Sequence, residues 1–323
     1  MNKQCLLSRL SIAGILLIFL SSELSFAAFL TGQTSATLQL NVFYVRHAQS
    51  CANVAEGWHK FSYQDPEITN CGVYRSLKAG QDFQKYLSEQ KPVIRLDLIG
   101  ASRLRRTKET AMMMFFHDFF AAKGTLYQLP YIGEIETDVQ ISFTPENHPY
   151  KTDEQITLIK NDFPQFAGKI NVDYSDSSAV SINVDYDKFI TKTLPKIAED
   201  IFLADTSNRK IFNIAVVTHS NFMSKIVGCK RPDGTKPGNN EVYLVKYFFK
   251  AEDKKGTSLV NSPAISACES VMAFNHDSKI EAIDQARCGR KADDKSHALH
   301  FPTNPLNAVN ALQSLKVSSK CMQ

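Results

Sequence analysis

Two stretches of this 323-residue chain follow one pattern that leaves few folds open. Val42-Phe43-Tyr44-Val45 leads directly into Arg46-His47, and Ile214-Ala215-Val216-Val217-Thr218 leads into His219. A short apolar run rich in β-branched and aromatic residues, without polar alternation, predicts a strand buried on both faces. Strands of that kind belong to parallel sheets covered by helices, where ligands bind beyond the carboxyl ends of the strands. Arg46 and His47 are therefore expected to project into such a crevice. An imidazole beside a guanidinium suits an anionic ligand.

The rest of the chain alternates strand and helix signals, which predicts an α/β fold with a mainly parallel sheet. The first strand is expected at about Leu40 to Val45, followed by a polar segment over Ser50 to Asp65 that carries Asn53, Trp58 and His59. Val73, Leu77, Gly80, Phe83 and Leu87 recur at near-helical spacing and predict an amphipathic helix that stops by Pro92. Leu96 to Ile99 reads as a strand, and Ser102 as the cap of a helix over Arg106 to Phe120. A helix N-terminus favours anions, and Arg106 in its first turn adds a forked donor, whereas Arg103 and Arg105 are expected to be surface charge. Leu126 to Pro130 is the third strand candidate. It leads to Glu134, with Glu136 expected to be solvated.

Residues 137–187 turn polar without a sustained period and are expected to form a cap-like insertion with short helices. Phe189 to Leu203 reads as a helix kinked or broken at Pro195. Ile211 to Thr218 is a clear strand, after which Ser220 or Asn221 is expected to cap the next helix. A turn-rich loop, Lys230 to Asn240, then precedes a strand from Val242 to Phe249 and a cysteine-containing tail from about residue 250. His297 and His300 share a spacing that suits metal ligation, but no third ligand lies near them in sequence, and no metal site is expected.

As a set, these residues resemble the histidine phosphatase superfamily, also called phosphoglycerate mutase-like, over about Asn41 to Phe249. The matching positions are Arg46-His47-Ala48 with Ser50 and Asn53, then Ser102, Leu104, Arg106, Thr110 and Ala111, then Glu134 and His219. The resemblance implies a three-layer α/β/α sandwich and hydrolysis of a phosphate monoester through a phosphohistidine, with no cofactor. It implies His47 as nucleophile, Glu134 as proton donor, and Arg46, Arg106 and His219 as phosphate ligands; the apolar neighbours Tyr131 and Ile132 are expected to help raise the Glu134 pKa. Asn53 and Ser220 are further substrate-binding candidates. Ala48 and Ser220 replace glycines of the family pattern, and either would be strained if its backbone required positive φ. No aspartate follows His219, which argues against the acid-phosphatase and phytase branch. The alternatives are a phosphoglycerate mutase-type phosphotransferase and an inactive module that binds phosphate or a partner.

Lys3 and Arg9, the apolar stretch Leu10 to Leu20 and the small residues near Ala27 have the three regions of a secretory signal peptide, expected over residues 1–28. The apolar run falls well short of the roughly 20 residues that span a bilayer, so cleavage and a secreted or periplasmic location are expected rather than a membrane tether. Residues 29–323 would then form one domain. Export favours pairing among Cys51, Cys71, Cys229, Cys268, Cys288 and Cys321, and a pair within the last three would staple the tail. The net charge of +4 comes with no long basic run, which excludes a nucleic-acid groove and favours a small or protein-borne phosphate monoester as substrate.

Overall fold

The structure is a computed structural model that describes residues 37–54, 65–115, 125–134, 154–155, 157–159, 171–173, 185–250 and 263–273. The expectations for the leader, for Trp58, His59 and Glu136, for most of 137–187 and for His297 and His300 lie outside these residues.

The strands are β1 (Thr37–Arg46), β2 (Leu98–Ala101), β3 (Thr125–Gln128), β4 (Asn171–Asp173), β5 (Ile211–Thr218), β6 (Val242–Lys250), β7 (Ala264–Ile265) and β8 (Glu269–Met272). They form one sheet in the order β4-β3-β2-β5-β1-β6-β7, with β8 also on β6. Neighbours from β4 to β1 are parallel, and β6 joins β1 antiparallel, so the sheet is mainly parallel as the sequence predicts. The chain leaves β1, skips one position to reach β2, continues outward and later returns to fill the gap with β5. That reversal places the ends of β1 and β5 side by side at the crevice where such sheets bind ligands.

Alternate side chains of β1 enter two separate cores, as the two-residue period of a strand requires. Phe43 and Val45 pack on one face with the helices α2 (Asn70–Glu89) and α3 (Arg105–Met114), which follow the short helix α1 (Cys51–Val54). Val42 and Tyr44 pack on the other with Phe189, Leu194 and Phe222. Helices thus cover both faces of the sheet, giving three layers. Each fully buried residue such as Phe43 contributes roughly 1.5–3 kcal/mol of hydrophobic stabilisation relative to exposure.

Thr69 caps α2, its hydroxyl accepting from the Gly72 amide at 2.9 Å. A Cβ at Gly72 would collide with the Gln49 carbonyl, so glycine lets this helix start press against the loop that follows His47. The Leu96–Ile99 strand is shifted to Leu98–Ala101. Ser102 does not cap α3: the cap residue is Leu104, without a side-chain bond, and the helix amide of Arg105 donates instead to Asp65 Oδ1 at 2.9 Å. A serine just before a helix reads locally as a cap, but here its hydroxyl is drawn across the sheet by a stronger acceptor. The α3 bundle of charges is also deeper than expected. Arg105 is 7 % exposed and holds Glu109 at 2.7 Å, so it is a buried ion pair and not surface charge.

The helix expected over 189–203 has three parts: α4 (Tyr186–Lys188), a π-helical stretch Phe189–Thr193 and α5 (Leu194–Ala204), with Pro195 the second residue of α5, directly after the π-helical stretch. A second π-helical stretch, Phe222–Val227, ends at Gly228, whose φ of 82° suits glycine. No side chain caps it at Asn221, because the helical backbone begins at Ser220, immediately after His219. Within the expected insertion, Asn171–Asp173 forms the edge strand β4, and Gln155 and Ile159 are buried.

Beyond residue 250, β7 and β8 pair with β6, and Cys268 is bonded to Cys229. Cys268 is therefore not part of a pair within the tail, and Cys288 and Cys321 lie outside the described residues. β8 returns alongside β6 and brings Cys268 to the residue that ends the helix after His219, a proximity created by strand pairing. Cys51 and Cys71 are disulfide-bonded as well.

Candidate active site

Arg46 and Thr218 are direct partners in the β1–β5 ladder, so the residues that follow them, His47 and His219, emerge together. Their ring centroids lie 5.1 Å apart at 60°. The His47 Nδ1 is 2.7 Å from the Ala48 carbonyl, which accepts only, so Nδ1 carries the proton and Nε2 keeps its lone pair. The backbone around it is fixed from three elements: His47 N donates to Thr218 O, Ala48 N to Thr110 Oγ1, and Asn239 Nδ2 to His47 O. Burial lowers the His47 pKa well below the usual imidazole range, and Arg106, His219 and Arg46 push it further down. His47 is therefore neutral and oriented, the state a nucleophile needs.

His219 is fully buried, with Nε2 2.8 Å from Ser102 Oγ and Nδ1 3.9 Å from a Glu134 carboxylate oxygen. A proton on Nδ1 faces that carboxylate favourably, and Ser102 then donates to Nε2. Burial, Arg106 and Arg46 hold the His219 pKa well below its ordinary value, so it is a neutral imidazole.

Arg46 donates from one terminal nitrogen to Pro237 O at 2.8 Å, which ties it to the 230–241 loop. Glu241, fully buried, organises that loop by accepting from Arg231 Nε at 2.8 Å, Gly238 N at 2.7 Å and the Tyr243 hydroxyl at 3.1 Å. Burial lowers the Arg46 pKa to about 10, against the opposing pull of Glu134 and Glu241. Arg106 is 6 % exposed and forms an ion pair with Glu134.

Glu134 follows a turn in which Tyr131 has a φ of 68°, sparsely populated for a bulky residue. The turn is held by Asp185 N on Tyr131 O at 3.1 Å and by Thr218 Oγ1 on Ile132 O at 2.7 Å. The side chain is 38 % exposed. Burial pulls its pKa up, but Arg106, His47 and Arg46 together hold it below the usual carboxylate value. The raised pKa expected from Tyr131 and Ile132 is thus not found: the guanidinium ion pair outweighs the apolar neighbours.

The structure brings together Arg46, His47, Arg106, Glu134 and His219. Three buried donors there lack a protein partner among the described residues: Nε of Arg46, Nε of Arg106 and Nδ1 of His219. Unsatisfied buried donors are costly, and such a set fits a ligand with several acceptor oxygens. Asn53 is not spent on the site in this state, its carboxamide oxygen accepting from Ser50 N at 3.1 Å and Ser50 Oγ at 3.2 Å. Ser220 is half-buried beside His219. Neither Ala48 nor Ser220 has positive φ, so the two replacements of glycine carry no backbone strain. Sequence reasoning missed the contributions of Ser102, Pro237 and Asn239. Their partners are distant in sequence, and no local pattern signals them.

No family model matches the chain, and no curated protein matches it. Solved structures resemble it at low identity. Ecdysone phosphate phosphatase from Bombix mori, in complex with tungstate, is 13% identical over 75% of this chain and 97% of its own, with a TM-score of 0.41. Phosphoglycerate mutase from Bacillus anthracis str. Sterne is 18% identical over 73% and 93%, with a TM-score of 0.38. Phosphoserine phosphatase from Entamoeba histolytica, in complex with 3-phosphoglyceric acid, is 14% identical over 72% and 98%, with a TM-score of 0.33.

Proposed function

We propose that this chain is a histidine phosphatase that hydrolyses a phosphate monoester through a phosphohistidine at His47. The observation that carries the reading is that three buried donors, from Arg46, Arg106 and His219, lack a partner among the described residues, in side chains whose charges act on a neutral histidine with its proton on Nδ1. Three donors match the three equatorial oxygens of a phosphoryl group in transfer, and two guanidinium groups offset the charge spread over them.

In the proposed sequence, phosphate displaces Glu134 as the partner of Arg106. Losing that cation and gaining a nearby dianion both raise the Glu134 pKa, so binding of substrate itself readies the carboxyl to donate a proton. His47 Nε2 attacks phosphorus in line, the P–O bond to the leaving group breaks, and Glu134 protonates the departing oxygen. As a carboxylate, Glu134 then takes a proton from the water that attacks phosphohistidine. This frees inorganic phosphate and returns His47 to its starting form. The charge is supplied by side chains, so the reaction is proposed to need no metal. The leader sequence supports export to a secreted or periplasmic location, and with no long basic run the substrate is proposed to be small or protein-borne. A mutase is less favoured because its substrates are cytoplasmic and the leader points to export, and an inactive module because Arg46, His47, Arg106, Glu134 and His219 are all retained.

Hydrolysis of p-nitrophenyl phosphate by the chain from Phe29 onward, with and without EDTA, tests this. EDTA-resistant turnover that is lost in His47→Ala agrees with it. A folded wild type that binds phosphate without turning over substrate favours the binding module instead.

A further inference from the structure

Lys108 lies on α3, two residues beyond Arg106, and is fully buried. The proposed chemistry gives it no task. Its ammonium donates to Arg103 O at 3.0 Å and to the amide oxygen of Gln155. Gln155, also fully buried, donates from its amide nitrogen to the Asp65 carboxylate and to Arg103 O at 3.0 Å. Asp65, 3 % exposed, accepts in turn from the Arg105 amide at 2.9 Å. The Arg103 carbonyl and the Arg105 amide flank the start of α3, whose own cap residue supplies no side-chain bond. The three side chains therefore replace a conventional cap and clamp the turn that launches Arg106.

A buried lysine is an expensive way to fill space, since its charge loses hydration that a methionine would never have needed. The burial lowers the Lys108 pKa to about 7, Asp65 opposing and Arg103 reinforcing the shift. A group kept at that cost, with each of its neighbours turned toward one helix start, is suited to fixing geometry.

We propose that Asp65, Gln155 and Lys108 are positioning residues for Arg106, so that Gln155, from a separate helical stretch, sets how well the site holds phosphate. The proposal rests on the phosphatase reading above. Neither Lys108 nor Gln155 touches the substrate. They act by holding the Arg103–Arg105 turn, and through it the direction of the Arg106 guanidinium.

The test uses Lys108→Met, which keeps the aliphatic bulk, and Gln155→Ala, which keeps Lys108. KM and kcat for p-nitrophenyl phosphate and the inhibition constant of inorganic phosphate are measured with thermal midpoints, beside Leu87→Ala, a core truncation far from the site. The expected result is a rise of about tenfold in both KM and the phosphate inhibition constant in either variant, the scale of one lost hydrogen bond. The value of kcat should change little, and Leu87→Ala should lower the midpoint without moving KM. Unchanged KM and inhibition constants in folded variants overturn the proposal while leaving the phosphatase reading intact, as does an equal rise in Leu87→Ala. A wild type that neither hydrolyses the ester nor binds phosphate overturns both, and that outcome is read on the wild type alone.

Discussion

Ser102 and His219 are 117 positions apart in sequence, yet the serine hydroxyl lies 2.8 Å from Nε2 of the histidine. Parallel pairing of β2 with β5 makes this contact, because both residues stand just past the ends of adjacent strands. With the Glu134 carboxylate facing Nδ1, the hydroxyl donates to Nε2 and holds the ring with its proton toward that carboxylate. Replacing Ser102 with alanine removes that hold and leaves Nε2 buried without a partner. A fall of about tenfold in kcat/KM is expected, from the roughly 1–3 kcal/mol that an unsatisfied buried group costs. Steady-state kinetics with the fold checked by circular dichroism measures it.

Glu134→Gln separates leaving groups. An alkyl phosphate needs a proton on its departing oxygen, so kcat is expected to fall by about 10²–10⁴, and by much less with p-nitrophenyl phosphate. An equal loss on both substrates would contradict the proton-donor role.

The ion pair of Glu134 with Arg106 predicts a pH signature. In the free enzyme the carboxyl pKa is held down, and in the complex the bound dianion raises it. The alkaline limb of kcat, which reports the complex, is therefore expected at higher pH than the Glu134 limb of kcat/KM, which reports the free enzyme. Glu134→Gln removes both limbs. Coincident limbs in the wild type would contradict the displacement of Glu134 from Arg106 by phosphate.

How far the sequence goes is seen by comparing these residues. His47 and His219 were legible because each ends an apolar run, and strand ends in parallel sheets are where ligands bind. Arg106 and Glu134 were legible only through the family resemblance, since nothing in Arg103-Leu104-Arg105-Arg106 says which arginine turns inward. Ser102 was misread as a helix cap because a local pattern cannot show an acceptor on another strand. The Glu134 pKa was misjudged for the same reason: the apolar neighbours are adjacent in sequence, and the guanidinium that dominates them is 28 positions away. The burial of Lys108 has no sequence signal at all. The mainly parallel sheet was legible, but the placement of β5 between β2 and β1 emerges from the long return of the chain.

The Cys229–Cys268 disulfide closes a loop with a sequence separation of 39 and joins the tail to the helix that follows His219. Loop-closure entropy for that length assigns it about 4 kcal/mol. The Cys229→Ser/Cys268→Ser variant should unfold at lower denaturant concentration by about that free energy, as urea titration measures, with KM for p-nitrophenyl phosphate little changed.

Glu241→Ala should uncouple the 230–241 loop from Arg46. Removing the carboxylate takes away the acceptor shared by Arg231 Nε, Gly238 N and the Tyr243 hydroxyl, and an unsatisfied buried group costs roughly 1–3 kcal/mol. A lowered thermal midpoint together with a raised KM is expected. A thermal midpoint restored toward wild type by a saturating phosphate analogue would locate the defect in loop order.

The most direct measurement is a rapid quench of the enzyme during turnover, into alkali, followed by mass spectrometry of the peptide that carries His47. The account predicts one phosphoryl group on His47, formed within a single turnover, accumulating in Glu134→Gln as hydrolysis slows, and absent from His47→Ala. A turning-over enzyme that shows no phosphorylated peptide at any quench time, in wild type and Glu134→Gln alike, would contradict it.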